Sequence, residues 1–262
     1  MMRRHLSFTC EGALLAGTLD TSAAAGPTGV LFVSGGNEIR SGAFGGMAQL
    51  SARLAREEGV PCLRFDRRGV GQSEGDNEGF RSSAADIAAA IAAFRHDAPH
   101  LKRVIGFGVC DAASALALHG AALGLDGLVL VNPWTRDEAD GRAPAVPPKA
   151  LWRRYAARLA SGREWKRLLT GGVDLRGVAR DVQGAALTPG QTRLAREMQM
   201  SLGKFAGPVT ILLAEGDRTA QLFEAAWKRK DARVRRHASA GHAFDGDEAR
   251  DWLVARLVEA VG

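Results

Sequence analysis

The chain has 262 residues, of which 46% are apolar and 24% charged, and a formal net charge of +6. That balance is ordinary for a folded globular protein and excludes extended disorder or a low-complexity scaffold. No run of roughly 18 apolar residues occurs, so stable membrane insertion by a helix is not expected.

The positive charge is unevenly placed. Residues 136–200 carry 13 Lys or Arg against 7 Asp or Glu, while the remainder carries 22 of each sign. Such a segment attracts an anionic substrate, an acidic partner or a membrane surface, or is simply a solvated helix face. Nucleic acid is not an expected partner, because no recognition motif is present. Cys10, Cys62 and Cys110 lie far apart with no CxxC pair. Neither a disulfide framework nor a zinc site is implied, and no metal or organic cofactor is expected. The first ten residues carry charge without an apolar stretch, so no signal peptide is expected. Together these features point to a cytoplasmic protein.

In chain order, His5–Cys10 and Ala13–Leu19 flank Glu11-Gly12 and predict a β-hairpin. Thr28–Ser34 is a β-branched and aromatic run, hence a strand. Ala43–Glu58 is predicted helical from the spacing of Met47, Leu50 and Leu54. Pro61–Asp66 predicts a strand, and Ser82–His96 an Ala-rich helix behind a Ser-Ser cap. Arg103–Phe107 predicts a strand, Asp111–Leu123 a helix and Leu128–Val131 a continuous apolar strand. The alternation breaks after Asn132-Pro133-Trp134. Residues 135–205 hold Pro144, Pro147 and Pro148, with helical stretches near Leu151–Leu159 and Arg193–Leu202. Then follow a strand at Val209–Ala214, a helix at Arg218–Lys228, a strand at Arg233–His237 and a helix at Asp247–Val261. Short apolar strands alternating with amphipathic helices imply an α/β fold, with a mostly parallel sheet covered on both faces. Residues 1–134 and 206–262 form its core in this reading, and 135–205 a small inserted cap over the C-terminal edge of the sheet.

The chemistry centres on Gly106-Phe107-Gly108-Val109-Cys110-Asp111-Ala112-Ala113-Ser114. An apolar strand enters and an Ala-rich helix leaves. This is the context of a nucleophile elbow, G-x-S-x-G, with sulfur for oxygen and Ala112 for the last Gly. A helix N-terminus beside the thiol favours its ionisation. Downstream, Asp217 stands at the exit of one strand, and His242 follows the last strand in Ser239-Ala240-Gly241-His242. Nucleophile, acid, His is the chain order that α/β-hydrolases use. His242 can take the thiol proton, and Asp217 can fix its tautomer. Upstream, Ser34-Gly35-Gly36-Asn37 ends a strand. Its Gly36 or Asn37 N–H, with that of Asp111, can form an oxyanion hole.

Taken singly, each residue has a simpler explanation. Cys110 can be a buried hydrophobe, His242 a surface residue, Asp217 a helix N-cap and Gly35-Gly36 a turn. Their joint placement at successive strand ends favours catalysis. Competing candidates are Glu215 as the acid and His119 or His237 as the base. Ser114 lies one turn past the elbow and faces the wrong way for attack. A second string, Asp66-Arg67-Arg68-Gly69-Val70-Gly71-Gln72-Ser73-Glu74-Gly75, matches a D-x-R-G-x-G-x-S-x-G loop of many α/β-hydrolases. There Asp66 and Arg68 are expected to brace neighbouring loops.

On these strings the chain resembles the α/β-hydrolase superfamily over nearly its whole length, and within it the type 1 hydrolases associated with exosortase A systems. The closer match rests on Gly35-Gly36 followed by Arg40 and Gly42, on Phe65-Asp66-Arg67-Arg68-Gly69, and above all on the Cys110-Asp111 pair followed by small residues. The loop reads Gly36-Asn37-Glu38 where close members carry Gly-Pro-Gln. The resemblance implies a bacterial protein linked to exopolysaccharide and exosortase systems. Dienelactone hydrolases run a Cys-His-Asp triad on the same fold. The expected activity is therefore hydrolysis, or acyl transfer, of an ester or thioester through an acyl-thioester on Cys110. The expected partner is a small, possibly anionic ester or thioester. The competing expectation is a catalytically silent hydrolase-fold binding protein, because the Asp111 carboxylate beside the thiol disfavours a thiolate.

Overall fold

A computed structural model describes residues 1–137, 191–227, 230–238, 240–244 and 246–262. The expected helix at 151–159, most of the expected cap, and the end of the helix expected at 218–228 lie outside the described residues.

The elements run β1 (Met2–Cys10), β2 (Ala13–Thr21), β3 (Thr28–Val33), α1 (Gly46–Glu57), β4 (Cys62–Phe65), α2 (Ala84–Asp97), β5 (Arg103–Val109), α3 (Asp111–His119), β6 (Gly127–Val131), α4 (Arg193–Lys204), β7 (Val209–Ala214), α5 (Arg218–Ala226), β8 (Val234–His237) and α6 (Asp247–Val261). Among the described residues, eight strands form one open sheet in the order β1-β2-β4-β3-β5-β6-β7-β8. The β1–β2 and β2–β4 pairs are antiparallel, and every pair from β4 to β8 is parallel. This is the mostly parallel sheet that the alternation of elements implies.

Period-two alternation divides each central strand between two cores. Leu31 and Val33 face one side, with Phe94 of α2, Leu116 of α3 and Met198 of α4. Val30 and Phe32 face the other, with Met47 and Leu54 of α1 and Leu253 and Leu257 of α6. The sheet is thus covered on both faces, as parallel sheets require. No helix among the described residues is long and apolar enough to cross a membrane.

Several boundaries differ from the expected ones for local reasons. The hairpin strands run further at their outer ends, because β1 pairs with β2 along its whole length and Arg3 clasps Asp20 at 2.6 Å. Glu11 and Gly12 both take positive φ, 48° and 87°, which matches the turn to the twist of the hairpin. Ser83 does not cap α2. Its hydroxyl donates to the Phe80 carbonyl inside a short 3-10 turn, and the helix starts one residue later. Trp227 swings into extended backbone and ends α5.

Thr192 caps α4, accepting from the Ala195 N–H at 3.1 Å, and its own hydroxyl donates to the Thr135 carbonyl. The chain therefore leaves the sheet after β6 and rejoins the described structure at one point. The buried side of α4 packs against α3.

The turn from β5 into α3 depends on Gly108. A Cβ there would stand 2.8 Å from the Ala112 carbonyl carbon and 2.9 Å from the Ala113 nitrogen. Gly108→Ala must push α3 off the sheet. It should lower stability by about 1–3 kcal/mol, as overpacking does, and be read as a reduced melting temperature with loss of any thiol reactivity at Cys110.

Candidate active site

The strand ends along the C-terminal edge of the sheet place each predicted residue. Cys110 follows β5 with φ 59° and ψ −123°, a left-handed backbone that side-chain-bearing residues seldom adopt. Its neighbours enforce that conformation. The Cys110 N–H donates to the Val131 carbonyl at 2.9 Å, and the Cys110 carbonyl accepts from the N–H groups of Ser114 and Trp134 at 3.3 and 3.1 Å. The Ser114 hydroxyl donates to the Cys110 and Trp134 carbonyls at 3.3 and 2.5 Å. Ser114 is thus a brace of the elbow.

Asp217 leaves β7 and meets His242 beyond β8, with Oδ2 3.0 Å from the His242 Nδ1. The same Asp217 oxygen accepts from the Ala220 N–H at 3.1 Å and caps α5. Asp217 therefore caps α5 and meets His242 at once. Burial works against its charge, but hydrogen bonds from His242 and from the Ala220 and Thr219 N–H groups outweigh it and hold the carboxyl below its ordinary range. His242 is pushed up to about 10, first by its hydrogen bond with Asp217, then by one with Cys110, against the opposing effect of burial. The structure thus brings Cys110, His242 and Asp217 together.

The alternatives sit elsewhere or do other work. His119 ends α3 with Nε2 3.1 Å from the Arg81 carbonyl, and burial lowers its pKa. His237 is buried in β8, edge-on to Trp252 at 5.3 Å. The carboxylate at His242 is that of Asp217, and the Glu215 backbone instead extends the β7 pairing by donating to the His237 carbonyl at 3.0 Å.

The glycine loop carries an unanticipated contact. The Gly36 N–H donates to both carboxylate oxygens of Asp111, each at 2.9 Å. Gly35 must be glycine for this, since a Cβ there would stand 2.3 Å from the Asp111 Oδ1. Asn37 is exposed, its side-chain oxygen accepting from Asn77 at 2.8 Å. Arg67 holds the loop from behind by donating to the Gly36 carbonyl at 2.6 Å.

The expected braces of the second string are in place. Asp66 accepts from the Arg40 and Gln72 N–H groups at 2.5 and 3.1 Å and pairs with the Arg40 guanidinium. Arg68 pairs with Asp86 at 2.5 Å.

Two residues at the site escaped the sequence reading. Asn132, buried at the end of β6 with φ 44°, accepts from the Ala214 N–H at 2.8 Å and donates to the His242 carbonyl at 3.2 Å. It ties the acid-bearing strand to the His loop. An Asn-Pro pair after an apolar strand was its only signal, since Asn tolerates left-handed backbone. Glu38 lies in the glycine loop, half-buried. Burial raises its carboxyl above the ordinary range, the Asp111 charge adds to that, and a backbone hydrogen bond and the His242 charge oppose it. Glu38 lines a cavity of about 1000 Å³ with Gly36, Cys110, Asp111, His242 and Trp134.

The model of the alpha/beta hydrolase family matches residues 30–256. The chain belongs to the alpha/beta hydrolase family. No curated protein matches it. Among solved structures, this hydrolase is similar to an esterase of Pyrococcus furiosus at 18% identity, covering 100% of this chain and 92% of that one with a TM-score of 0.63. It is similar to an α/β serine hydrolase homologue of Coxiella burnetii at 16% identity, 98% coverage of both chains and a TM-score of 0.61. A Xanthomonas campestris serine hydrolase described as lacking a lid matches at 14% identity, 100% and 94% coverage and a TM-score of 0.61. Likeness at these identities establishes the shared fold.

The His242–Asp217 pair has a definite pH signature. A His pKa raised in the folded state adds stability that is full below the unfolded value of about 6.5 and is lost as pH rises through about 10. The lowered Asp217 pKa adds stability that is lost as pH falls below about 4. Asp217→Asn keeps a capping side chain on α5 but removes the charge. The melting-temperature advantage of wild type over Asp217→Asn should be largest between about pH 4 and 6.5 and decline towards pH 10.

Proposed function

We propose that the protein hydrolyses an ester or thioester, or transfers its acyl group, with Cys110 as nucleophile, His242 as proton carrier and Asp217 as its orienting acid. The observation that carries this is the 3.0 Å Asp217–His242 contact beside a Cys110 held in a strained elbow. His242, held by Asp217, takes the thiol proton as the sulfur attacks the carbonyl. A carbon–sulfur bond forms and the carbonyl oxygen takes up the negative charge. That charge is received by the Asp111 N–H, a first-turn donor with no acceptor inside α3, and by Gly36 or Asn37. Collapse expels the alcohol or thiol, which takes its proton from His242. Water, or an alcohol or amine acceptor, then gives a proton to His242 and attacks the acyl-thioester, releasing Cys110.

The Cys110-Asp111 elbow and the Gly35-Gly36 loop support placing the chain with the bacterial, exosortase-associated hydrolases and an exopolysaccharide-linked substrate. Three free cysteines suit a reducing, cytoplasmic setting. The residues between Thr135 and Thr192, which leave and return at one point, fit an inserted cap.

One observation favours a second reading, that of a silent binding protein. The Asp111 carboxylate already occupies the Gly36 N–H that an oxyanion would need.

Intact-mass labelling with iodoacetamide separates the two. Cys10 and Cys62 are buried, and burial raises both thiols, Cys10 to about 11. Label should therefore land on Cys110. Catalysis predicts labelling at neutral pH at least about tenfold faster than free cysteine, slowed about 10²-fold in His242→Ala, and ester turnover abolished in Cys110→Ala. Labelling no faster than free cysteine and indifferent to His242 would establish the silent reading.

Asp111→Asn tests the blocked loop. A neutral amide holds the Gly36 N–H less tightly than a carboxylate. Ester kcat/KM should therefore rise by up to about tenfold, equivalent to about 1.4 kcal/mol. A fall would mean that the carboxylate assists the reaction.

A further inference from the structure

Arg67 is an unusual charge in this fold. It is 2% exposed. Among the described residues its guanidinium forms no ion pair, and its one hydrogen bond goes to the Gly36 carbonyl at 2.6 Å. A buried cation without an ion pair is costly to keep. Burial pulls its pKa down, and the charges of Asp111 and then Asp86 oppose that from beyond hydrogen-bond range. Asp66 and Arg68 on either side brace loops. Arg67 stands between them, at the position that the D-x-R-G string leaves open.

The Gly36 carbonyl belongs to the same peptide as the Asn37 N–H. A turn closes around this peptide, the Glu38 N–H donating to the Gly35 carbonyl at 2.9 Å. Such a turn is held by its outer peptides and leaves the central one free. The carbonyl of that central peptide is taken by Arg67 and by Asn77 at 3.2 Å. Its N–H has no acceptor among the described residues. In a trans peptide the carbonyl and the N–H point opposite ways. Sheet order gives those directions a meaning. β3, which leads into this loop, lies between β4 and β5. Arg67 and Asn77 follow β4, and Cys110 follows β5. With the carbonyl drawn to the β4 side, the Asn37 N–H turns to the β5 side, where the sulfur stands. The Gly36 N–H on that side is already held by Asp111.

We propose that Arg67 is a positioning residue for the reaction at Cys110. From behind, it fixes and polarises the Gly36–Asn37 peptide, so that the Asn37 N–H receives the oxyanion. This rests on the catalytic reading of Cys110. A carbonyl bonded to a cation makes the N–H of its own peptide a stronger donor. The charge also acts directly. The 2.6 Å hydrogen bond, about 2.3 Å across the peptide and a second hydrogen bond of about 2.9 Å set Arg67 about 8 Å from the oxyanion. At an intermediate dielectric, a unit charge at about 8 Å changes the stability of an anion by a factor of about ten to thirty. Asp111 and Glu38 work against an oxyanion at this loop, and the cation behind the peptide offsets them.

The test pairs steady-state kinetics on a p-nitrophenyl ester with pH titration of a trifluoromethyl ketone adduct. In that adduct the sulfur bonds to the ketone carbon, the carbonyl π pair moves to oxygen, and the thiol proton passes to His242. Fluorine NMR reports the ionisation of that oxygen. Arg67→Gln keeps a donor for the Gly36 carbonyl but removes the charge. Arg67→Lys keeps both, since a single acceptor needs no fork. Arg67→Gln should lower kcat about ten- to thirtyfold. KM should stay within about twofold, because Arg67 is not among the described residues that line the cavity. The adduct oxygen should ionise about one pH unit or more higher than in wild type. Arg67→Lys should stay within about threefold of the wild-type kcat. If Arg67→Gln melts early, Asn37→Pro removes the N–H itself and leaves the buried charge in place. It should cost about 10²- to 10³-fold in kcat. An adduct midpoint unmoved in Arg67→Gln, equal losses in the Gln and Lys variants, or a wild-type kcat in Asn37→Pro would overturn this role and leave the reading of Cys110 intact. A wild type that neither turns over esters nor forms the adduct would overturn both.

Discussion

The reversal of the chain at Cys110 is the constraint on which the rest of the site hangs. A residue with a side chain in left-handed backbone costs on the order of 1–3 kcal/mol unless its surroundings leave it no alternative. Here they leave none. The Val131 carbonyl takes its N–H, while Ser114 and Trp134 share its carbonyl. Gly108 lets α3 press against β5 at a distance that no Cβ permits. The strain has a use. It lifts the sulfur off the strand axis into the cavity and keeps the first-turn N–H groups of α3 beside it. Because β3, β6, β7 and β8 run parallel to β5, each delivers its following loop to the same edge. The glycine loop, Asn132, Asp217 and His242 converge there as a consequence of sheet order.

Charge at this edge is divided in an instructive way. On one side of the sulfur, Asp217 raises His242 and keeps a positive charge near the thiol. On the other, Asp111 and Glu38 gather negative charge around Gly36. A ligand whose own anion lay next to the scissile bond would meet two carboxylates there. An anionic group on the substrate therefore has to lie away from the reacting carbon.

Much of this was legible in the sequence, and the boundary of legibility is physical. Strand and helix periods are local, so the alternation of elements and its mostly parallel sheet could be read directly. Chain order then placed Cys110, Asp217 and His242 at successive strand ends. What depends on side chains meeting across the fold was hidden. Nothing local shows that the Asp111 carboxylate turns back onto the Gly36 N–H, that Arg67 rather than Asp66 or Arg68 holds the Gly36 carbonyl, or that Asn132 bridges β7 and the His loop. Helix ends were misread where local competition decided them. Ser83 bonds back to Phe80 instead of capping α2, and Trp227 leaves the helix to stack on Phe223 at 4.6 Å.

Asp217 shows why a simple structural explanation of a residue does not exhaust it. The helix cap and the His contact use the same carboxylate oxygen. Capping fixes where that oxygen points, and the oxygen in turn fixes the imidazole. The start of α5 thereby serves as the reference against which His242 is aligned, with Asn132 holding the His loop from its backbone side. The Asp217 carboxyl is held below its ordinary range despite burial, first by its hydrogen bond and charge contact with His242 and then by the Ala220 and Thr219 N–H groups. In the proposed reaction His242 therefore has its carboxylate partner in place before any substrate arrives.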